Sequence, residues 1–229
     1  MIGVGFALIL ATIQPTIPDW YRGKIVAIRP RFFGQKILAL SFDDGPDPTN
    51  TPKILDALKK ENAKATFFVL GSQAQKYPNL IKRIAKEGHA IGNHSFSHIA
   101  KTSVAGAVSE LDKTNQAIGF VPDMFRPPYG IRNGEMAKLA LSRKMAVILW
   151  TITAADTATR DSKVIANNII FTPNPGDIAL LHDGPGHLPT ANAVPTILKE
   201  LKAKGWKFVT LPTLLQAWRR FETKPKRIL

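Results

Sequence analysis

Two adjacent carboxylates, Asp43 and Asp44, stand between an apolar run, Ile37-Leu38-Ala39-Leu40, and a Gly45-Pro46 turn. The run reads as a buried strand that stops where the acids begin. Where a strand breaks into a turn, neighbouring acids can line one cavity, one binding a metal while the other stays free as a base. The plainer alternative is an acidic turn, since Asp and Gly-Pro are ordinary turn residues. A second group, Asn93-His94-Ser95-Phe96-Ser97-His98, puts two imidazoles four residues apart, on one side of a helix or tight turn. That spacing serves when both bind one ion. Two imidazoles and a carboxylate leave a coordination position open for water, which a divalent metal activates while polarising a carbonyl. A non-haem iron site can use the same triad, but the neighbouring base and acid have no role there.

Three further stretches carry site chemistry. In Arg126-Pro127-Pro128-Tyr129-Gly130 the paired prolines hold the backbone extended and fix the direction of the amide that follows, as an oxyanion requires. Arg126 can pair with a carboxylate and hold it ionised. Trp150 precedes a loop containing Asp156. Leu180-Leu181-His182-Asp183-Gly184 offers a histidine as general acid, which a nearby carboxylate could orient.

These five stretches end or follow short apolar runs at 37–42, 89–92, 124–126, 145–151 and 177–181, and two further runs stand at 65–70 and 206–209. Helical patterns lie between them. Asn50-Thr51-Pro52, Ser72, Ser103, Asn133 and Asp161 are start signals, Gly88, Gly119 and Gly205 are stops, and Pro212 lies in the last helix's first turn. The predicted buried stripes include Leu80, Ile81 and Ile84 in the second helix and Val104, Val108, Leu111 and Ile118 in the third. Seven strand-helix units predict a parallel sheet covered by helices, with its site at the strands' carboxyl ends.

Together the motifs resemble those of the polysaccharide deacetylases, carbohydrate esterase family four, in family order from about Lys36 to Thr213. The resemblance implies a distorted (β/α) barrel of about seven parallel strands. It assigns Asp43 as base, and Asp44, His94 and His98 as ligands of a divalent metal, zinc foremost, with cobalt or another ion as alternatives. It makes Arg126 the group that steadies the base, the Tyr129 amide an oxyanion donor, His182 the acid and Asp156 its orienting partner. Leu180 would shape an acetyl pocket, with Pro128, Tyr129 and Trp150 on the substrate side. The fourth motif departs from the family pattern: Thr153 and Thr157 replace an aspartate and a groove-wall tryptophan. His89 is expected to be structural, and His187 lies in a loop after the sixth strand that could approach the groove but need not. The implied activity is metal-dependent removal of acetyl groups, N-acetyl foremost, from a polymer such as peptidoglycan or a chitin-like glycan. A small-amide hydrolase and a non-catalytic wall-binding protein are the rivals.

The 229 residues, 45% of them hydrophobic, suffice for one large domain, and the lack of cysteine excludes disulfides and thiolate metal sites. A formal charge of +14 favours polyanionic surroundings such as an anionic envelope or membrane surface. Half of it lies between Lys199 and Arg227, where nine bases face two acids. No zinc finger, RNP-like motif or aromatic-interleaved basic stripe supports nucleic-acid binding. The apolar segment from Ile2 to Ile13 is too short to span a membrane and suggests export or anchoring. Residues 1–35 are expected to form this segment and a connector, and residues 36–229 the deacetylase domain, favoured as a monomer.

Overall fold

The structure, a computed structural model, describes residues 14–30 and 33–223. The apolar stretch before Gln14 and the last basic residues, Lys224, Lys226 and Arg227, lie outside them. Among the described residues no helix is long and apolar enough to cross a membrane.

Nine strands form one all-parallel sheet among the described residues. Its centre is β2 (Ile37–Asp43), flanked by β3 (Thr66–Val69) and β8 (Ile178–His182). Beyond β3 the order continues through β4 (Ala90–Asn93), β5 (Met124–Phe125) and β6 (Ala146–Ile148) to β1 (Ile25–Val26). Beyond β8 lies β7 (Ile152–Thr153), and β9 (Lys207–Phe208) pairs with the start of β2. No ladder joins β1 to β7 among the described residues, so the sheet curls into an incomplete barrel.

All seven predicted runs are strands, and two more appear. Ile25–Val26 pairs with Val147 and Ile148, bringing the expected connector into the sheet. Ile152–Thr153 splits from the run before it to pair with Ala179 and Leu180.

Helices cover the outer face: α1 (Asn50–Lys60), α2 (Gly71–Lys76), α3 (Pro78–Lys86), α4 (Val104–Ile118), α5 (Glu135–Ser142), α6 (Ser162–Ile170) and α7 (Leu188–Ala203). The second predicted helix is two, because Pro78 starts α3 just after Tyr77 caps the end of α2. In α4 the stripe is also corrected. Ser103 caps it through the Gly106 amide and Gly119 ends it with φ 91°, but Val104 and Val108 are exposed. Ala107, Leu111, Thr114 and Ile118 form its buried side.

Strand alternation divides the core. Leu38, Leu40 and Phe42 of β2 pack towards the helices with Ile54, Leu58, Val194 and Ile197. Ala39 faces inward with Phe68, Ala90, Met124, Ile148 and Ile178. The last helix, α8 (Leu211–Glu222), joins this inner core through Leu211, Leu214, Leu215 and Trp218, beside Ile17, Tyr21, Val26 and Phe33. The Leu211 amide donates to Thr66 Oγ1 where β3 begins, so α8 closes the amino end of the barrel. Arg219 and Arg220, part of the basic end, therefore sit away from the carboxyl ends where the acids and histidines gather.

Candidate active site

Register brings the strand ends to one rim. Asp43 is level with Phe68 and His182, Val69 with Asn93, Asn93 with Phe125, and Phe125 with Val147. Each predicted site residue lies at one of these ends or in the loop that follows.

Asp43 ends β2 facing inward, buried to 3% exposure, and Asp44 turns away with φ 72°. This left-handed residue sends the neighbouring carboxylates in different directions. Space beside the turn is tight. A Cβ on Gly45 would fall 2.3 Å from the Asp183 carboxylate oxygens, and one on Gly184 would fall 2.7 Å from Asp44 Cβ.

His94 and His98 lie in a tight turn, the alternative to a helix that their spacing allowed. Ser95 and His98 have φ of 69° and 59°. Asn93 Oδ1 accepts from the Ser95 amide, and Ser95 Oγ accepts from the His98 amide. Glu110 of α4 binds the Phe96 and Ser97 amides through Oε2 and the Ser97 hydroxyl through Oε1. The turn is clamped from its own strand and from a helix.

Asp44 Oδ1 is 3.4 Å from Nε2 of both His94 and His98. One donor atom from each residue falls within 4.8 Å of the others. His94 Nδ1 is 2.7 Å from the Arg126 carbonyl, to which it donates, so Nε2 is the atom turned to Asp44. Asp44 Oδ1 is buried without a hydrogen-bond donor. Burial works to raise the Asp44 pKa, but the His94 contact and the histidine charges outweigh it and hold it near 2. An ionised oxygen lacking a donor beside two imidazole nitrogens suits a divalent cation. The residues fit the metal.

Arg126, fully buried, crosses the interior to Asp43. Its Nη1 lies 2.7 Å from Asp43 Oδ1 and 2.8 Å from Ser41 Oγ. Its Nε and Nη2 donate to the Ile148 and Leu149 carbonyls, and the Phe68 ring lies 4.1 Å from the guanidinium. Asp43 Oδ2, the other oxygen, is 3.7 Å from His94 Nε2 and thus borders the candidate ligand set.

Tyr129 has φ 57° after the buried Pro128, and its mostly exposed ring meets His98 edge-on at 4.6 Å. Trp150 packs against Gly130, where a Cβ would come within 3.0 Å of its ring. Leu180 is buried, level with Ser41 on β2.

Across β2 from Arg126, His182 donates its amide to Asp156 Oδ2 at 2.8 Å and holds Nδ1 2.9 Å from Asp156 Oδ1. Thr190 also donates to Oδ2. Burial would lower the His182 pKa; the bond and charge of Asp156, with Asp43 and Asp44 behind, raise it to about 9. Exposed Thr153 accepts from the Ala155 amide and so shapes the turn before Asp156, while Thr157 is exposed. His89 is structural as expected: it is buried and its Nδ1 accepts from the Ala65 amide.

Asp43, Asp44, His94, His98, Arg126, Tyr129, Asp156 and His182 thus lie at one rim. Two supporting residues were not singled out from the sequence. One is Glu110. The other is Asp183, fully buried, whose Oδ2 accepts from Thr51 at 2.5 Å. Burial pushes the Asp183 carboxyl up to about 7, with Asp44 and Asp43 adding to the rise against the Thr51 bond.

Known proteins carry the same architecture. The family model "Polysaccharide deacetylase" matches residues 32–148. A Bacillus cereus peptidoglycan-N-acetylglucosamine deacetylase is 43% identical over 187 residues, covering 78% of this chain and 68% of that protein. The peptidoglycan-N-acetylmuramic acid deacetylase PdaC of Bacillus subtilis is 39% identical, covering 83% of this chain and 41% of its own length. Its solved structure superposes with a TM-score of 0.77 at 37% identity, over 83% of this chain and 95% of that one. A Bacillus anthracis CE4 family pseudoenzyme also superposes, with a TM-score of 0.72 at 28% identity, over 80% of this chain and 66% of that one. The fold alone therefore does not establish turnover; the residues at the rim must. Family match, close relatives and strand-end residues agree: the chain belongs to the polysaccharide deacetylase family.

Proposed function

We propose that this enzyme removes acetyl groups, N-acetyl foremost, from a peptidoglycan-type glycan of the cell envelope, with zinc as its ion. The observation that carries the reading is the placing of an Arg-held carboxylate beside a two-histidine, one-carboxylate set, with a carboxylate-held histidine on the next strand. Relatives named as peptidoglycan deacetylases support the choice of polymer. Members of this family generally depend on a divalent metal.

Asp44, His94 and His98 would hold the ion. When bound, it supplies Lewis acidity, polarising an acyl carbonyl and making water a stronger acid. Asp43 takes the water proton on Oδ2 while Arg126 holds Oδ1. The Tyr129 amide, its direction set by the left-handed turn, donates to the oxyanion that develops on the acetyl oxygen. His182, tied to Asp156 through Nδ1, delivers its Nε2 proton to the leaving nitrogen as the carbon–nitrogen bond breaks. Acetate and a free amine result. Leu180 bounds a methyl-sized space, with Pro128 and Trp150 at the wall.

The test is acetate release from N-acetylglucosamine oligomers and purified peptidoglycan, with chelator and then with added zinc. Release that chelation abolishes and zinc restores is the expected result. No release from any glycan by protein holding one metal per chain would overturn the reading in favour of a small-amide hydrolase.

The His182–Asp156 pair gives a pH prediction. An acid with a raised pKa stays protonated to higher pH, and removing the charge that raises it moves the loss of activity down the scale. Asp156→Asn should therefore shift the alkaline limb of the kcat/KM profile to lower pH and leave the zinc held by Asp44, His94 and His98 in place. An unmoved limb would remove His182 from the acid role.

A further inference from the structure

The hydrolytic scheme leaves one residue beside the acid unused. His187 stands at the amino end of α7, its ring stacked on His182 with centroids 5.0 Å apart and planes 24° from parallel. Its Nδ1 is buried, has no hydrogen-bond partner among the described residues, and lies 3.9 Å from Asp156 Oδ2. Asp156 Oδ1 is 2.9 Å from His182 Nδ1. One donor atom each from Asp156, His182 and His187 falls within 4.8 Å of the others. Zinc held tetrahedrally at about 2.0–2.1 Å keeps its ligand atoms about 3.3 Å apart. The two separations to Asp156, 2.9 Å to Oδ1 and 3.9 Å to Oδ2, lie on either side of that figure, so side-chain shifts that bring both histidines to one carboxylate would close the site.

We propose that Asp156, His182 and His187 form a second, weaker site for a zinc-type divalent cation, and that filling it inhibits hydrolysis. Binding replaces the proton on His182 Nδ1, which passes to solvent, and Asp156 Oδ1 turns from accepting that proton to ligating the ion. The imidazole left behind is neutral, and its Nε2–H is a far weaker acid than that of the imidazolium it replaces. The Asp44 site fills first, because Asp44 Oδ1 has no donor to give up. Asp156 must surrender its bond to His182, so the second site demands more ion.

Zinc bound per chain, measured by equilibrium dialysis and metal analysis, would be read beside acetate release across a zinc series. Wild type should bind a second, weaker equivalent, with turnover rising on the first and falling on the second. His187→Ala should bind one equivalent and hold its plateau at zinc levels that silence wild type, with melting temperature checked in parallel. Wild type that never exceeds one zinc overturns the proposal, as does His187→Ala that still binds two. The inhibitory effect rests on the proposed acid role of His182, whereas the stoichiometry does not. Two bound zinc ions with undiminished turnover would keep the site but overturn its inhibitory effect, and the acid assignment of His182 with it.

Discussion

Asp43→Asn should keep its metal and lose acetate release by about 10²–10⁴-fold, the usual worth of a positioned general base. The two oxygens of Asp43 have separate surroundings. Oδ1 faces the Arg126 guanidinium at 2.7 Å, and Oδ2 faces His94 Nε2 at 3.7 Å. Asparagine matches the carboxylate in shape and still offers Arg126 a carbonyl oxygen, but its amide group cannot take a proton. The ligand set is untouched, because the left-handed turn at Asp44 places the neighbouring carboxylate independently. Metal content and kcat measured on the same sample decide the matter. A variant that turns over near the wild-type rate would move the base elsewhere, and one that loses its metal would make Asp43 a ligand.

What the sequence shows of this site follows from parallel-sheet geometry. An apolar run that stops at Asp43 or His182 is a strand ending at the rim, so local pattern and function coincide there. The same holds for Asn93 before His94 and for Phe125 before Arg126. Supporting residues give no such signal. Glu110 looks like any polar position of an amphipathic helix, and only the folded chain brings it to the amides of the His94–His98 turn. Asp183 sits next to a motif residue, yet its role depends on Thr51 and Gly45, more than 130 positions earlier. Strand β7 escapes a pattern-based reading because it follows the 145–151 run with no turn residue between them, and β1 because it lies inside the proline-bearing connector. The stripe assigned to α4 failed for a different reason. Val104 and Val108 are apolar at helical spacing, but the sheet meets the face carrying Ala107, Leu111 and Thr114.

Removing Arg126 should cost more stability than any other single change at the rim. Its side chain has no exposed surface and joins three strands, donating to Asp43 and Ser41 of β2 and to the backbone just inside and beyond β6. In Arg126→Met the stem volume survives and the charge does not. Asp43 is then a buried carboxylate without its cation, and two carbonyls lose donors. Breaking a buried pair from one side costs about 3–5 kcal/mol, and for a chain of this size each kcal/mol lowers the melting temperature by about 2–4 °C. Arg126→Lys should recover only part of this, because a single ammonium cannot reproduce the planar fork that reaches four acceptors. The separating experiment is the double variant with Asp43→Asn. If the unpaired charge causes the loss, neutralising Asp43 restores part of it, and the double variant melts above the sum of the two single changes. Strict additivity would instead place the cost in lost packing against Phe68 and in the freed carbonyls, leaving Arg126 a structural strut that only happens to touch the base.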